Sequence, residues 1–135
     1  MTNLTDESTA GHAGMVDWSV LDALKVLQKP GRPDVRTTLM KAYLDSIPAL
    51  MAATRDAVSA ADGAALRNTA HSMKSSSTAI GALIFGKTCA VLEFLGKSDT
   101  LEDAPTLLLR AEEQFAATCA ALRSALAGEG SVPSP

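Results

Sequence analysis

Aromatic residues are scarce: they form 4% of the 135 residues, against 47% for hydrophobic residues of every kind. An interior built mainly from Ala and Leu favours closely packed helices over sheets, which draw on β-branched and aromatic side chains. Cysteine is almost absent. Cys89 and Cys119 stand thirty positions apart with no CxxC. Metal ligation needs more ligands, and a disulfide is not expected in a reducing compartment. Each cysteine is therefore read as a small buried hydrophobe. There is no excess of basic charge, since the formal net charge is −3. A nucleic-acid partner would want a basic surface. No apolar run approaches a transmembrane span, and the N-terminus lacks a charged-then-apolar signal pattern. These features predict a cytoplasmic chain with no membrane or nucleic-acid partner. A Gly-rich phosphate loop, an Asp/Asn set for Mg²⁺ and a nucleotide motif are all missing, which argues against use of ATP. Glu-x-x-His is missing too, so no metal site in the core of a helical bundle is expected.

What is present is helical patterning over the length of one domain. Residues 1–15 are polar, small and without period, and read as a disordered tail that includes His12. Asp17 is placed to cap a short helix through about Gln28, with Val20, Leu24 and Leu27 on one side. Lys29-Pro30-Gly31-Arg32-Pro33 breaks the chain. Asp34 opens a long helix to about Ala60, whose stripe reads Val35, Leu39, Tyr43, Ile47, Leu50, Thr54 and Val58. Pro48 inside it predicts a kink near Leu44 to Ile47. A third helix follows Asp62 and ends before Gly81. A fourth spans about Ala82 to Gly96 and carries Leu83, Ile84, Val91, Leu92 and Leu95. The last runs from about Leu101 to Ala127, with Pro105 near its first turn. Its stripe is Leu108, Ala111, Phe115, Cys119, Leu122 and Leu126. Residues 128–135 read as a second disordered tail. The expected fold is all-α: an antiparallel up-down-up-down four-helix bundle over residues 16–127, with a short additional N-terminal helix.

The residue that stands out chemically is His71. On its helix, Leu66, Ala70, Met73, Ser77 and Ile80 step by 4, 3, 4 and 3 and form one buried stripe. His71 falls about 100° off that stripe. Arg67, Lys74, Ser75 and Thr78 stack on its own face. An exposed imidazole between two cations suits a phosphoryl carrier, because the cations can meet the phosphoryl oxygens. No acid lies three or four residues away, so no neighbour on the same helix orients the ring.

The run Ala70-His71-Ser72-Met73-Lys74-Ser75-Ser76-Ser77, ending at Ile80-Gly81-Ala82, resembles the signature of histidine-containing phosphotransfer (HPt) domains. That signature reads roughly His-x-Leu-Lys-Gly-Ser-Ser, a small or polar pair, an aliphatic residue, Gly and Ala. Met73 stands for the Leu, and Leu92-Glu93 matches a Leu-Glu on the following helix. Ser75 replaces the usual Gly, and Ala79 replaces a frequent Asn. The resemblance covers about residues 17 to 127. It implies a bacterial two-component phosphorelay in which His71 is the phosphoacceptor and Lys74 assists transfer. Arg67, Ser75, Thr78 and Lys87 are then expected on the phosphoryl and receiver face. Ser76, Ser77 and Glu93 are read as structural. The implied protein is a monomeric, stand-alone intermediate without kinase or phosphatase activity. Its partners would be receiver domains of a hybrid histidine kinase and of a response regulator, and it needs no cofactor beyond the receiver's own Mg²⁺. Met40, Leu44 and Met51 are candidates for an apolar docking patch. The competing reading is a phosphate-free HPt-like module that only docks a receiver or kinase.

Overall fold

The computed structural model describes residues 14–131. A short helix α1 (Trp18–Ala23) tightens into a 3₁₀ turn (Leu24–Leu27). Four longer helices follow: α2 (Val35–Ser59), α3 (Gly63–Ala79), α4 (Leu83–Ser98) and α5 (Ala104–Ser131). No strand occurs among the described residues. Helix α2 packs on α3, α3 on α4, α4 on α5, and α5 back on α2. That ring of sequential neighbours, joined by short turns, closes the antiparallel bundle expected from the helical patterning. No described helix is long and apolar enough to cross a membrane.

The N-caps act as the sequence predicts. Asp17, Asp34 and Asp62 accept hydrogen bonds from the backbone N–H groups of Ser19, Arg36 and Ala65. Gly81 ends the α3–α4 turn at φ +88°, a conformation that side chains disfavour. A Cβ there would also run into the Asp17 carbonyl oxygen. Across the same contact Asp17 N–H donates to Gly81 O at 2.7 Å, which ties α1 to the end of α3. The Ile-Gly-Ala ending of the motif is thus the hinge that turns α4 back along α3.

All five stripe residues of α3 are buried. On α2 the stripe is shifted. Met40, Tyr43, Ile47, Met51, Thr54 and Ala57 are buried, so Met40 and Met51 belong to the core and not to a docking patch. Leu44 is half-buried and packs against that core. The shift follows from the helical period: steps of 3, 4, 4, 3 and 3 from Met40 hold one face, and Leu39, Leu50 and Val58 lie at its edges. Helix α2 continues without interruption through Pro48. Near the N-terminus, Leu21 is the buried anchor of α1, while Leu27 is exposed and Val20 half-buried. The 3₁₀ turn winds more tightly than an α-helix, so the anticipated face is not maintained to Gln28. The core also reaches further back than expected, since Met15, read as the end of the N-terminal tail, is buried next to Val16. Helix α4 begins one residue later than anticipated and ends at Ser98. Helix α5 begins at Ala104 and extends to Ser131, past Gly128. Residues 1–13, with His12, and 132–135 lie outside the described residues. Cys89 and Cys119 are free and buried, and burial pushes the Cys89 thiol up to about 12.

Candidate functional site

His71 sits mid-way along α3, and its side chain is 58% exposed. Its partner comes from α4. Nδ1 of His71 lies 2.9 Å from Oε2 of Glu93, and the other carboxylate oxygen accepts from Lys74 Nζ at 2.7 Å. One carboxylate therefore joins the imidazole to the lysine one turn further on. The hydrogen bond from Lys74, and then the one from His71, hold the Glu93 carboxyl below the usual carboxylate range, against an opposing effect of desolvation. A carboxylate can only accept, so Nδ1 is the donor in this contact. In the neutral ring Nε2 is then the nitrogen with the lone pair, and it is the nucleophilic one.

Small residues make this contact between helices possible. A Cβ on Gly96 would stand 2.6 Å from both the Arg67 nitrogen and the Gly63 oxygen. One on Gly86 would stand 3.0 Å from Thr78 Oγ1. Backbone therefore approaches backbone at the Gly96 end of the α3–α4 seam, the Thr78 hydroxyl fills the Gly86 end, and Glu93 is held between them within reach of α3. Below the seam Ser77 is buried and its hydroxyl meets Tyr43 OH at 2.7 Å, as suits a small residue packed between helices.

The predicted site residues divide into groups. Arg67 joins His71, Asn68, Ser72 and Glu93 around an open niche of about 320 Å³ between α3 and α4. Lys74 is engaged by Glu93 at the edge of this group. Ser75 and Thr78 are exposed on the C-terminal side of His71 and do not line the niche. Lys87 is exposed on α4, next to Gly86 and so level with Thr78, also away from the niche. The reason is directional. Helical side chains lean toward the helix N-terminus, so an imidazole at position 71 covers the turn of Arg67 and Asn68. Two residues escaped the sequence reading. Asn68 was available from that lean, three residues before the histidine. Glu93 was present in the Leu-Glu match but was read as structural, because a helical period does not show which residues of two helices meet. No cluster of potential metal ligands occurs among the described residues.

Comparison with known proteins places the chain in a family. No curated protein sequence gives a significant match. Among solved structures, the chain is similar to histidine-containing phosphotransfer protein B (HptB) from Pseudomonas aeruginosa PAO1. The TM-score is 0.76 and the identity 27%, over 84% of this chain and 96% of that one. The family model for the Hpt domain matches residues 38–132, which span α2 to α5 and contain His71, Lys74 and Glu93. With most of its length matched by that model, the chain belongs to the Hpt-domain family, the phosphotransfer intermediates of phosphorelays.

Proposed function

We propose that this protein carries a phosphoryl group on Nε2 of His71, between the aspartyl phosphate of one receiver domain and the aspartate of another. The observation that carries the proposal is the Nδ1–Glu93 contact, which leaves the outer nitrogen of an exposed imidazole free. The Nε2 lone pair attacks phosphorus, the bond from phosphorus to the aspartyl oxygen breaks, and the carboxylate leaves with the electron pair. The ring becomes a phosphoimidazolium that keeps its Nδ1 proton. Glu93 faces the new positive charge, so no proton has to move during transfer. The reverse reaction onto a second aspartate uses the same atoms.

The upstream donor is the receiver of a hybrid histidine kinase, and the acceptor is a response regulator. Mg²⁺ and the acidic pocket are the receiver's contribution, and this chain supplies an oriented nucleophile without a cofactor of its own. Incubation with a phosphorylated, labelled receiver tests the reading. Label should pass to the wild type and not to His71→Gln, while helical content and melting stay nearly the same because His71 is exposed. Label retained by His71→Gln would overturn the assignment.

A further inference from the structure

The two cations that flank His71 are not equivalent. Lys74 Nζ is 2.7 Å from Glu93, so its charge is already matched by a carboxylate. Arg67 is exposed, and among the described residues its guanidinium has no ion-pair or hydrogen-bond partner. It lines the niche on the N-terminal side of the imidazole, together with Asn68. The charged or titratable groups of that niche are Arg67 and His71 from α3 and Glu93 from α4. Glu93 turns its two oxygens to His71 and Lys74. The unmatched positive charge therefore lies where the imidazole leans.

We propose that the phosphoryl group on His71 seats in this niche, held by Arg67 and the side-chain amide of Asn68, and that Lys74 acts by holding Glu93 in place. This rests on His71 being the phosphoacceptor. A phosphoryl dianion needs donors for three oxygens. Arg67 offers a planar fork of N–H groups suited to two of them, and the Asn68 amide offers two more donors. Lys74 has its charge matched by Glu93 at 2.7 Å and does not line the niche, so it is placed to hold the carboxylate that faces the imidazolium more than to hold the phosphoryl group. Lys74 is accordingly a positioning residue.

The test uses the whole chain phosphorylated with phosphoramidate, a small-molecule phosphoryl donor, and ³¹P NMR titration of the phosphohistidine. A cation beside the phosphoryl group favours its dianion and lowers its second pKa. Arg67→Gln and Asn68→Asp should each raise that pKa, by about half a pH unit or more for a charge change at contact distance. Lys74→Gln should raise it less, and should instead speed solvent exchange of the His71 Nδ1 proton, a change that loss of stability alone would not produce while the chain stays folded. The substituted side chains at 67 and 68 are exposed, so those variants are expected to fold. The proposal is overturned if Lys74→Gln moves the phosphoryl pKa as far as Arg67→Gln does, or if Asn68→Asp leaves it unmoved. Failure of the wild type to form any phosphohistidine would instead remove the phosphoacceptor reading underneath.

Discussion

Glu93 does for His71 what no residue on α3 can do: it fixes which nitrogen is free. Replacing it by Gln keeps an acceptor for Nδ1 and removes the charge that offsets the imidazolium. Glu93→Gln should slow phosphotransfer by about 5–30-fold, equivalent to about 1–2 kcal/mol for one partly exposed charged contact. If Lys74 works through Glu93, Lys74→Ala should cost a similar factor in the wild type and little in the Glu93→Gln background. Transfer rates around this double-mutant cycle check the coupling, and additive losses would contradict it. Ser75 stands apart from the site. Its side chain is exposed and does not line the niche, so its hydroxyl is expected to contribute little to transfer. Ser75→Ala and Ser75→Gly should both transfer at nearly the wild-type rate, and the Gly variant should lose roughly 0.5 kcal/mol of stability through backbone entropy. A several-fold rate loss in both variants would place Ser75 in the site.

The elements were legible where local rules decide them. Asp17, Asp34 and Asp62 cap their helices as their positions suggest, and the α3 stripe from Leu66 to Ile80 is wholly buried. Rotational detail was less legible. On α2 two overlapping apolar series compete, and packing against α3 and α5 selects the one with Met40 and Met51. The ends of α4 and α5 moved by one to four residues, because a terminal turn depends on what it packs against more than on propensity. The α3–α4 seam could not be read at all before the helices were placed, since Gly96 meets Gly63 and Arg67 across the chain. A methyl group at Gly96 has no space there. Gly96→Ala should destabilise the fold by about 1–3 kcal/mol despite the better helix propensity of Ala, as overpacking usually does. Phosphotransfer should fall as well, because α4 carries Glu93. A denaturant midpoint at or above the wild-type value would show that the seam is looser than described.

For the molecule as a whole, four carboxylates pair with three cations to tie the helices together. Asp34 and Asp22 hold Arg36 between α1 and α2, Glu112 on α5 holds Arg55 on α2, and Glu93 joins α4 to α3. Asp34, Glu93 and Glu112 are all held below the ordinary carboxylate range, in each case chiefly by the hydrogen bond from the paired Arg or Lys. A carboxylate with a folded pKa below its unfolded value contributes stability that is fully present above the unfolded pKa, which is about 4. That contribution is lost as pH falls through the lower folded value. Stability should thus be nearly level from neutral pH to about pH 5 and then decline on further acidification. High salt should shrink the decline, since these pairs are partly exposed. Denaturant midpoints measured across that range at low and high salt check both statements.

The central claim concerns one atom: phosphate on Nε2 of His71, with the Nδ1 proton kept against Glu93. Heteronuclear NMR of the ¹⁵N-labelled, phosphorylated protein reads it directly, through phosphorus–nitrogen coupling and the protonation of the second ring nitrogen. The account predicts phosphorus coupled to Nε2 of His71 and a proton retained on Nδ1. Phosphorus on Nδ1, or on any residue other than His71, would contradict it.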